Sequence, residues 1–280
     1  MRSRVCLVTG ASSGIGKATA LALASMGGTI ILACRDSGRG ENARREIIEV
    51  SHNSEITLML VDLSNQGSIR SFVESFKQNV SRLHVLVNNA GIYTSRRVVT
   101  VDGLESTFAI NHLSHFMLTN QLLELLKLSA PSRIVNVTSE AQRAGKINFS
   151  DLQGGNRYSG MKAYSQSKLA NVLFTYELAR RLAGTGVTVN CVHPGTVRTN
   201  FGRESGGFMS VAVKIAGPFM LTPEEGARTV VYAASSPAVE SVSGKYFIKE
   251  AEAKSSRDSY NPEIAGRLWD ISARLAKATA

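Results

Sequence analysis

The chain has 280 residues, with 24 glycines, 6 prolines, 3 cysteines and a formal charge of +10. At 43% hydrophobic and 19% charged residues it can bury a large core, which excludes a disordered chain. Three cysteines without CxxC spacing exclude a disulfide scaffold and a zinc ribbon, and favour a reducing compartment. No apolar run is long enough to span a bilayer. Met-Arg-Ser-Arg leads straight into an apolar strand, so the chain reads as free of a signal peptide, intracellular and soluble, with the cytoplasm as its expected place. No basic run is interleaved with aromatics, so nucleic acid is not expected as a partner. The charge reads as a solvated basic surface, or as an attraction for anionic cofactors or lipid surfaces.

In chain order, Val5 to Thr9 reads as a strand and Ile15 to Met26 as a helix. Thr29 to Ala33 is the next strand, followed by a charged helix near Gly40 to Glu49. Further strands fall at Ile56 to Val61, Val85 to Asn88, Arg133 to Val137, Val187 to Val192 and Tyr246 to Ile248. Helices lie near Ser68 to Lys77, Leu104 to Leu126, Ala163 to Leu182 and Glu224 to Ala234. Thr29-Ile30-Ile31-Leu32 is apolar on both faces, as expected where helices cover both sides of a parallel sheet. The alternation predicts an α/β fold, a single doubly wound Rossmann-type domain over residues 1–280. Its parallel sheet would have about seven strands with helices on both faces. Thr222-Pro223-Glu224-Glu225 predicts a helix start with a capping box. Ahead of it, residues 200–222 are Gly-rich and apolar, with Phe208, Met209, Phe219 and Met220, and read as a substrate lid. Such a lid suits a lipophilic carbonyl or alcohol; core packing, a peripheral membrane contact or a dimer contact are its other readings.

Thr9-Gly10-Ala11-Ser12-Ser13-Gly14-Ile15-Gly16 joins the first strand to the first helix. Glycines there let the backbone approach a pyrophosphate, and the helix N-terminus offers free N–H groups. The residues ending the second strand, Cys34-Arg35-Asp36, should choose the cofactor. Cys34 stands where an acid would bond a ribose 2′-hydroxyl, and Arg35 suits a 2′-phosphate, so NADP(H) is expected; Asp36 dissents. Tyr164 and Lys168 are four apart on a helix and share a face. An ammonium there is expected to lower the phenol pKa and make Tyr164 a general acid/base. Ser139 follows a strand at the carboxyl end of the sheet, and Asn111 sits in a helix although Asn is a poor helix former, which points to a buried partner or a role. His112 and His115 lack a third ligand, so no metal is expected. His193 should position backbone, and Cys6, Cys34 and Cys191 read as small core hydrophobes.

Together with Asn88-Asn89-Ala90-Gly91 and Pro194-Gly195 with Thr199, these motifs resemble the short-chain dehydrogenase/reductase family over almost the whole chain. Asn111-His112-Leu113-Ser114-His115-Phe116, Lys168-Leu169-Ala170-Asn171 and Arg267-Leu268-Trp269 resemble its retinol-dehydrogenase-like branch, whose membrane-bound members carry an N-terminal anchor that this chain reads without. The resemblance implies diphosphate binding by Gly10, Ser12, Ser13, Gly14, Ile15 and Gly16. It implies adenine contact by Asp62 and Leu63, ribose contact by Asn89, Ala90 and Gly91, and nicotinamide contact by Pro194, Gly195, Val197 and Thr199. Ser139, Tyr164 and Lys168 would be catalytic, Lys168 also bonding the nicotinamide ribose, with Asn111 holding a relay water. The function expected is NADP(H)-dependent interconversion of a lipophilic carbonyl, such as retinal or a long-chain aldehyde, and its alcohol. An NADP(H) sensor acting through a partner is the alternative. A homo-oligomer would be usual for the family.

Overall fold

A computed structural model describes residues 1–197 and 220–276. Thr199 and nearly all of the expected lid lie outside the described residues. The strands are β1 (Val5–Thr9), β2 (Thr29–Cys34), β3 (Ile56–Leu60), β4 (Val85–Asn88), β5 (Ser132–Val137), β6 (Val187–His193), β7 (Tyr246–Ile248) and β8 (Ala251–Ala253). They form one sheet in the order β3-β2-β1-β4-β5-β6-β7-β8. All neighbours run parallel except the β7–β8 pair. The main helices are α1 (Gly14–Ser25), α2 (Ser37–Ser51), α3 (Gln66–Asn79), α4 (Ser114–Leu128), α5 (Gly160–Arg181), α6 (Pro223–Ser235) and α7 (Pro262–Leu275).

Neighbouring residues of one strand enter different cores. Leu7, Ile31 and Leu86 meet Phe72 and Phe76 of α3, Leu118 and Leu122 of α4, and Phe174 of α5. Cys6, Val8, Ile30, Leu32 and Val87 meet Leu23 of α1, Ile47 of α2 and Val230 of α6 on the opposite side. This two-sided burial explains why the strands read as unbroken apolar runs. The predicted capping box is present: Thr222 Oγ1 accepts from the Glu225 N–H at 3.2 Å, and the Thr222 N–H donates to Glu225 Oε2 at 2.7 Å.

Three features depart from the expected layout. The expected helix from Leu104 to Leu126 is composite, with an α turn at Ser106–Phe108 and a π turn at Ala109–Leu113 before α4. An eighth, antiparallel strand β8 extends the sheet through a two-residue turn. Helix α7 closes the described fold, capped by Asn261, whose Oδ1 accepts from the Glu263 and Ile264 N–H groups at 2.9 and 3.1 Å. It covers α4 and α5: the Trp269 ring lies 4.9 Å from Phe116 and 5.8 Å from Phe174, with the Arg181 guanidinium 4.1 Å above it.

Candidate active site

Strand order reverses between β1 and β4, which opens a crevice beyond the carboxyl ends of the sheet. The expected site residues within the described part gather along that edge. Thr9 ties its first two segments together. Its Oγ1 accepts from the Asn89 and Ala90 N–H groups at 2.9 and 3.0 Å, and its carbonyl accepts from Asn89 Nδ2 at 2.8 Å. Gly10 and Gly14 turn the chain at φ +65° and +55°, where side chains are strained. A Cβ on Gly16 would collide with the Gly10 carbonyl oxygen. Ser13, at the N-cap of α1, supplies no side-chain cap. The backbone there is therefore open to an approaching anion, and the turn fits a dinucleotide diphosphate. Ile15 packs its side chain into the core, and Ser12 lies against the buried Cys34 thiol.

Arg35 is exposed at the end of β2. Asp36 caps α2, its Oδ1 accepting from the Arg39 N–H at 2.7 Å. Asp62, after β3, accepts from the Ser64 N–H and hydroxyl at 2.9 and 2.7 Å, and Leu63 packs against the core. Pro194 and Gly195 follow β6, half-buried, and buried Val197 bridges to Leu221. Among the described residues no group of three or more His, Cys, Asp or Glu could hold a metal.

Tyr164, Ser139, Lys168, Asn111 and Gly91 converge. Tyr164 is hydrogen-bonded to Ser139, and Lys168 Nζ lies 5.6 Å from the Tyr164 ring centroid. Lys168 is buried, with Nζ donating to the Val137 carbonyl at 3.2 Å. A Cβ on Gly91 would sit 3.3 Å from both Asn111 Oδ1 and Lys168 Nζ, so those two groups face one point. The Asn111 side chain grips Ile92, accepting from its N–H at 2.7 Å and donating to its carbonyl at 2.9 Å.

One electrostatic expectation is corrected. Burial pushes the Tyr164 phenol up to about 12, against the hydrogen bond from Ser139. Burial acts on Lys168 in the opposite direction, lowering its ammonium to about 8. In so dry a site, desolvation of each charged form outweighs the attraction between them.

His193 positions backbone as expected, its Nδ1 accepting from the Glu140 N–H at 3.3 Å beside Ser139. His115 ties α4 to the segment after β4: its Nε2 donates to the Ala90 carbonyl at 2.9 Å. The three cysteines are buried core residues, with thiols raised to about 12, 11 and 12 for Cys6, Cys34 and Cys191. Sequence reasoning missed Ser167, Asn171 and Ser272 as neighbours of the site. The signal was a polar residue every fourth position, Ser167, Asn171 and Thr175, along a buried helix face.

No helix of the described residues is long and apolar enough to cross a membrane. The family model for short chain dehydrogenases matches residues 4–207. Human Retinol dehydrogenase 12 is 47% identical over 272 residues, 97% of this chain and 86% of that protein. Human Retinol dehydrogenase 14 is 46% identical over 290 residues, with the same two coverages of 97% and 86%. Among solved structures, an uncharacterised protein from Mycobacterium paratuberculosis superposes with a TM-score of 0.81 at 36% identity, covering 99% of this chain and 94% of that one. The Pseudomonas aeruginosa RhlG/NADP active-site complex superposes at 0.70 with 26% identity, covering 88% and 94%. With its sheet order, its edge-clustered motifs and these likenesses in agreement, the chain is an oxidoreductase of the short-chain dehydrogenase family, in its retinol-dehydrogenase-like branch.

Proposed function

We propose that the protein is an NADP(H)-dependent enzyme interconverting a lipophilic carbonyl, of retinal or long-chain aldehyde type, and its alcohol, with Tyr164 as the general acid/base. The observation that carries this reading is the convergence of Ser139, Tyr164, Lys168 and Asn111 beside an open Gly-rich turn. The relatives named as retinol dehydrogenases support the substrate class, and the RhlG/NADP likeness supports the cofactor. Arg35 supports a 2′-phosphate, since the Asp36 carboxylate beside it is already engaged in capping α2.

A bound nicotinamide dinucleotide supplies or accepts the hydride. Gly10, Ser12, Ser13, Gly14, Ile15 and Gly16 would hold its diphosphate, Asp62 and Leu63 its adenine, and Asn89, Ala90 and Gly91 the adenosine ribose. Pro194, Gly195 and Val197 would flank the nicotinamide. Ser139 holds the substrate oxygen next to Tyr164. A phenol raised to about 12 is protonated at neutral pH, so it stands in the form that can donate to a carbonyl oxygen. The resulting phenolate is a stronger base than the Lys168 amine at about 8, so the proton flows from Lys168 to Tyr164. Lys168 gives one N–H to Val137 and has others for ribose hydroxyls. The Asn111 carbonyl has a second lone pair for a water that replenishes Lys168.

The test is NADPH oxidation with all-trans-retinal, long aliphatic aldehydes and small polar aldehydes, with NADH in parallel. Fastest turnover is expected for lipophilic carbonyls with NADPH, declining above pH ~8 as Lys168 loses its proton. Tyr164→Phe should bind NADPH normally and lose about 10²–10⁴ in rate. Unchanged turnover in that variant overturns the assignment.

A further inference from the structure

We propose that Asn171, His112 and Ser272 form a positioning system for the catalytic centre, which makes helix α7 part of its support. The proposal rests on the reading of Tyr164 as proton donor and extends it to residues outside the reacting atoms.

The π turn at Ala109–Leu113 is the starting point. A π turn shifts carbonyls out of the ordinary helical ladder. Here the Asn111 carbonyl accepts from Asn171 Nδ2 at 2.8 Å, across to α5. That bond commits the donor end of the Asn171 amide, so its Oδ1 must accept. The group it faces is His112 Nδ1, at 3.3 Å. His112 therefore carries its proton on Nδ1, and Nε2 is an acceptor. The group in reach of Nε2 is the Ser272 hydroxyl of α7, at 2.9 Å. Burial holds His112 at about 4, so the ring stays neutral and the assignment is stable near neutral pH.

The path continues toward the tyrosine. Asn111 Nδ2 donates to Ser167 Oγ at 3.0 Å, and Ser167 Oγ donates to the Tyr164 carbonyl at 2.7 Å. The chain Ser272–His112–Asn171–Asn111–Ser167–Tyr164 is thus unbroken. From Ser272 to Ser167 every member is buried. Donor and acceptor roles are fixed from one end to the other, so a change at α7 is felt along the path rather than absorbed by a flipped amide. Losing Ser272 leaves a buried imidazole acceptor unpaired, and losing Asn171 leaves both the Asn111 carbonyl and the His112 N–H unpaired.

The experiment compares full-length wild type with Ser272→Ala, Ser272→Thr, Asn171→Ala and Arg267→Ala. Arg267→Ala removes a stacking contact of α7 on Phe149 without touching the path. Amide hydrogen exchange is followed across the whole chain, together with kcat and KM for carbonyl reduction. In Ser272→Ala and Asn171→Ala, exchange should accelerate roughly tenfold in peptides covering the π turn and the start of α5, and kcat should fall about 3- to 30-fold at unchanged KM. Ser272→Thr, which keeps the hydroxyl, should restore both, and Arg267→Ala should change neither. Exchange changes confined to α7 in Ser272→Ala overturn the proposal, as does an unaltered kcat in both path variants. If wild type reduces no carbonyl, the proposed function fails and the exchange pattern alone decides this inference.

Discussion

Arg35 and Asp36 stand side by side at the end of β2 with opposite charges, and the structure separates their tasks. The Asp36 carboxylate holds the Arg39 N–H and pairs with the Arg39 guanidinium at 3.7 Å. Arg35 is exposed and follows Cys34, whose thiol lies against Ser12 of the Gly-rich turn. Arg35→Ala should therefore lower kcat/KM for NADPH about tenfold and leave NADH almost unaffected, with the NADPH effect shrinking at high salt. A parallel loss for both cofactors would place Arg35 away from the 2′-phosphate. Single residues were legible in the sequence where chemistry depends on local spacing. Tyr164 and Lys168 share a helix face because they are four apart, and Ser139 lies at the sheet edge because it follows a strand. The direction of the Tyr164 shift was not legible, because burial decided it and burial comes from packing. The partners of Asn111 were hidden for the same reason: α5 and α7 bring them in from far along the chain.

Elements with periodic patterns and explicit caps were readable, and the seven parallel strands lie within one residue of their expected bounds. The β7–β8 hairpin was not. Its turn residues Lys249 and Glu250 have φ +51° and +62°, the geometry of a type I′ turn, which normally announces itself as Asn-Gly. Two side-chain-bearing residues hold left-handed backbone there at a cost of about 1–2 kcal/mol each. The surroundings offset part of it: the Glu250 N–H donates to Thr229 Oγ1 at 3.3 Å, and the Glu250 carboxylate lies 3.5 Å from Arg228. That ion pair is exposed and contributes little. Replacing the pair by Lys249→Asn with Glu250→Gly keeps the backbone bond and should stabilise the fold by about 1 kcal/mol, a rise of roughly 2–4 °C in melting temperature. A lower melting temperature would show that the ion pair outweighs the strain. Helix α7 was missed although Asn261-Pro262-Glu263 carries the same start signal as Thr222-Pro223. Its packing face is divided between Trp269, Leu268 and Ser272, a mixed surface that shows its purpose only against α4 and α5.

At the scale of the whole molecule, the positioning of the site carries a consequence for stability against acid. His112 and His115 are held neutral inside the fold, at about 4 and about 3, chiefly by burial; the charges of Lys168 and His112 further oppose protonation of His115. Burial lowers His84 and His193 as well. In the unfolded chain each histidine takes up a proton near pH ~6.5. Between that pH and the lowered folded values, the unfolded state binds more protons, so stability must fall as pH falls. Each fully linked histidine contributes a slope of about 1.4 kcal/mol per pH unit in that window. Carboxylates held low against burial, Glu140 by the Tyr246 hydroxyl and Arg143 and Glu177 by Arg180 and Arg181, add their loss only further into the acid range. Urea unfolding at pH 7.5 and pH 5.0 should therefore show a marked drop in midpoint before the carboxylates titrate. His115→Gln, which keeps a donor for the Ala90 carbonyl but cannot be protonated, should flatten that drop even if it lowers the midpoint at pH 7.5. A midpoint indifferent to pH in wild type would mean that the buried imidazoles are charged within the fold. The His112 ring would then lose its acceptor for Ser272, and the link from α7 to the catalytic centre would break.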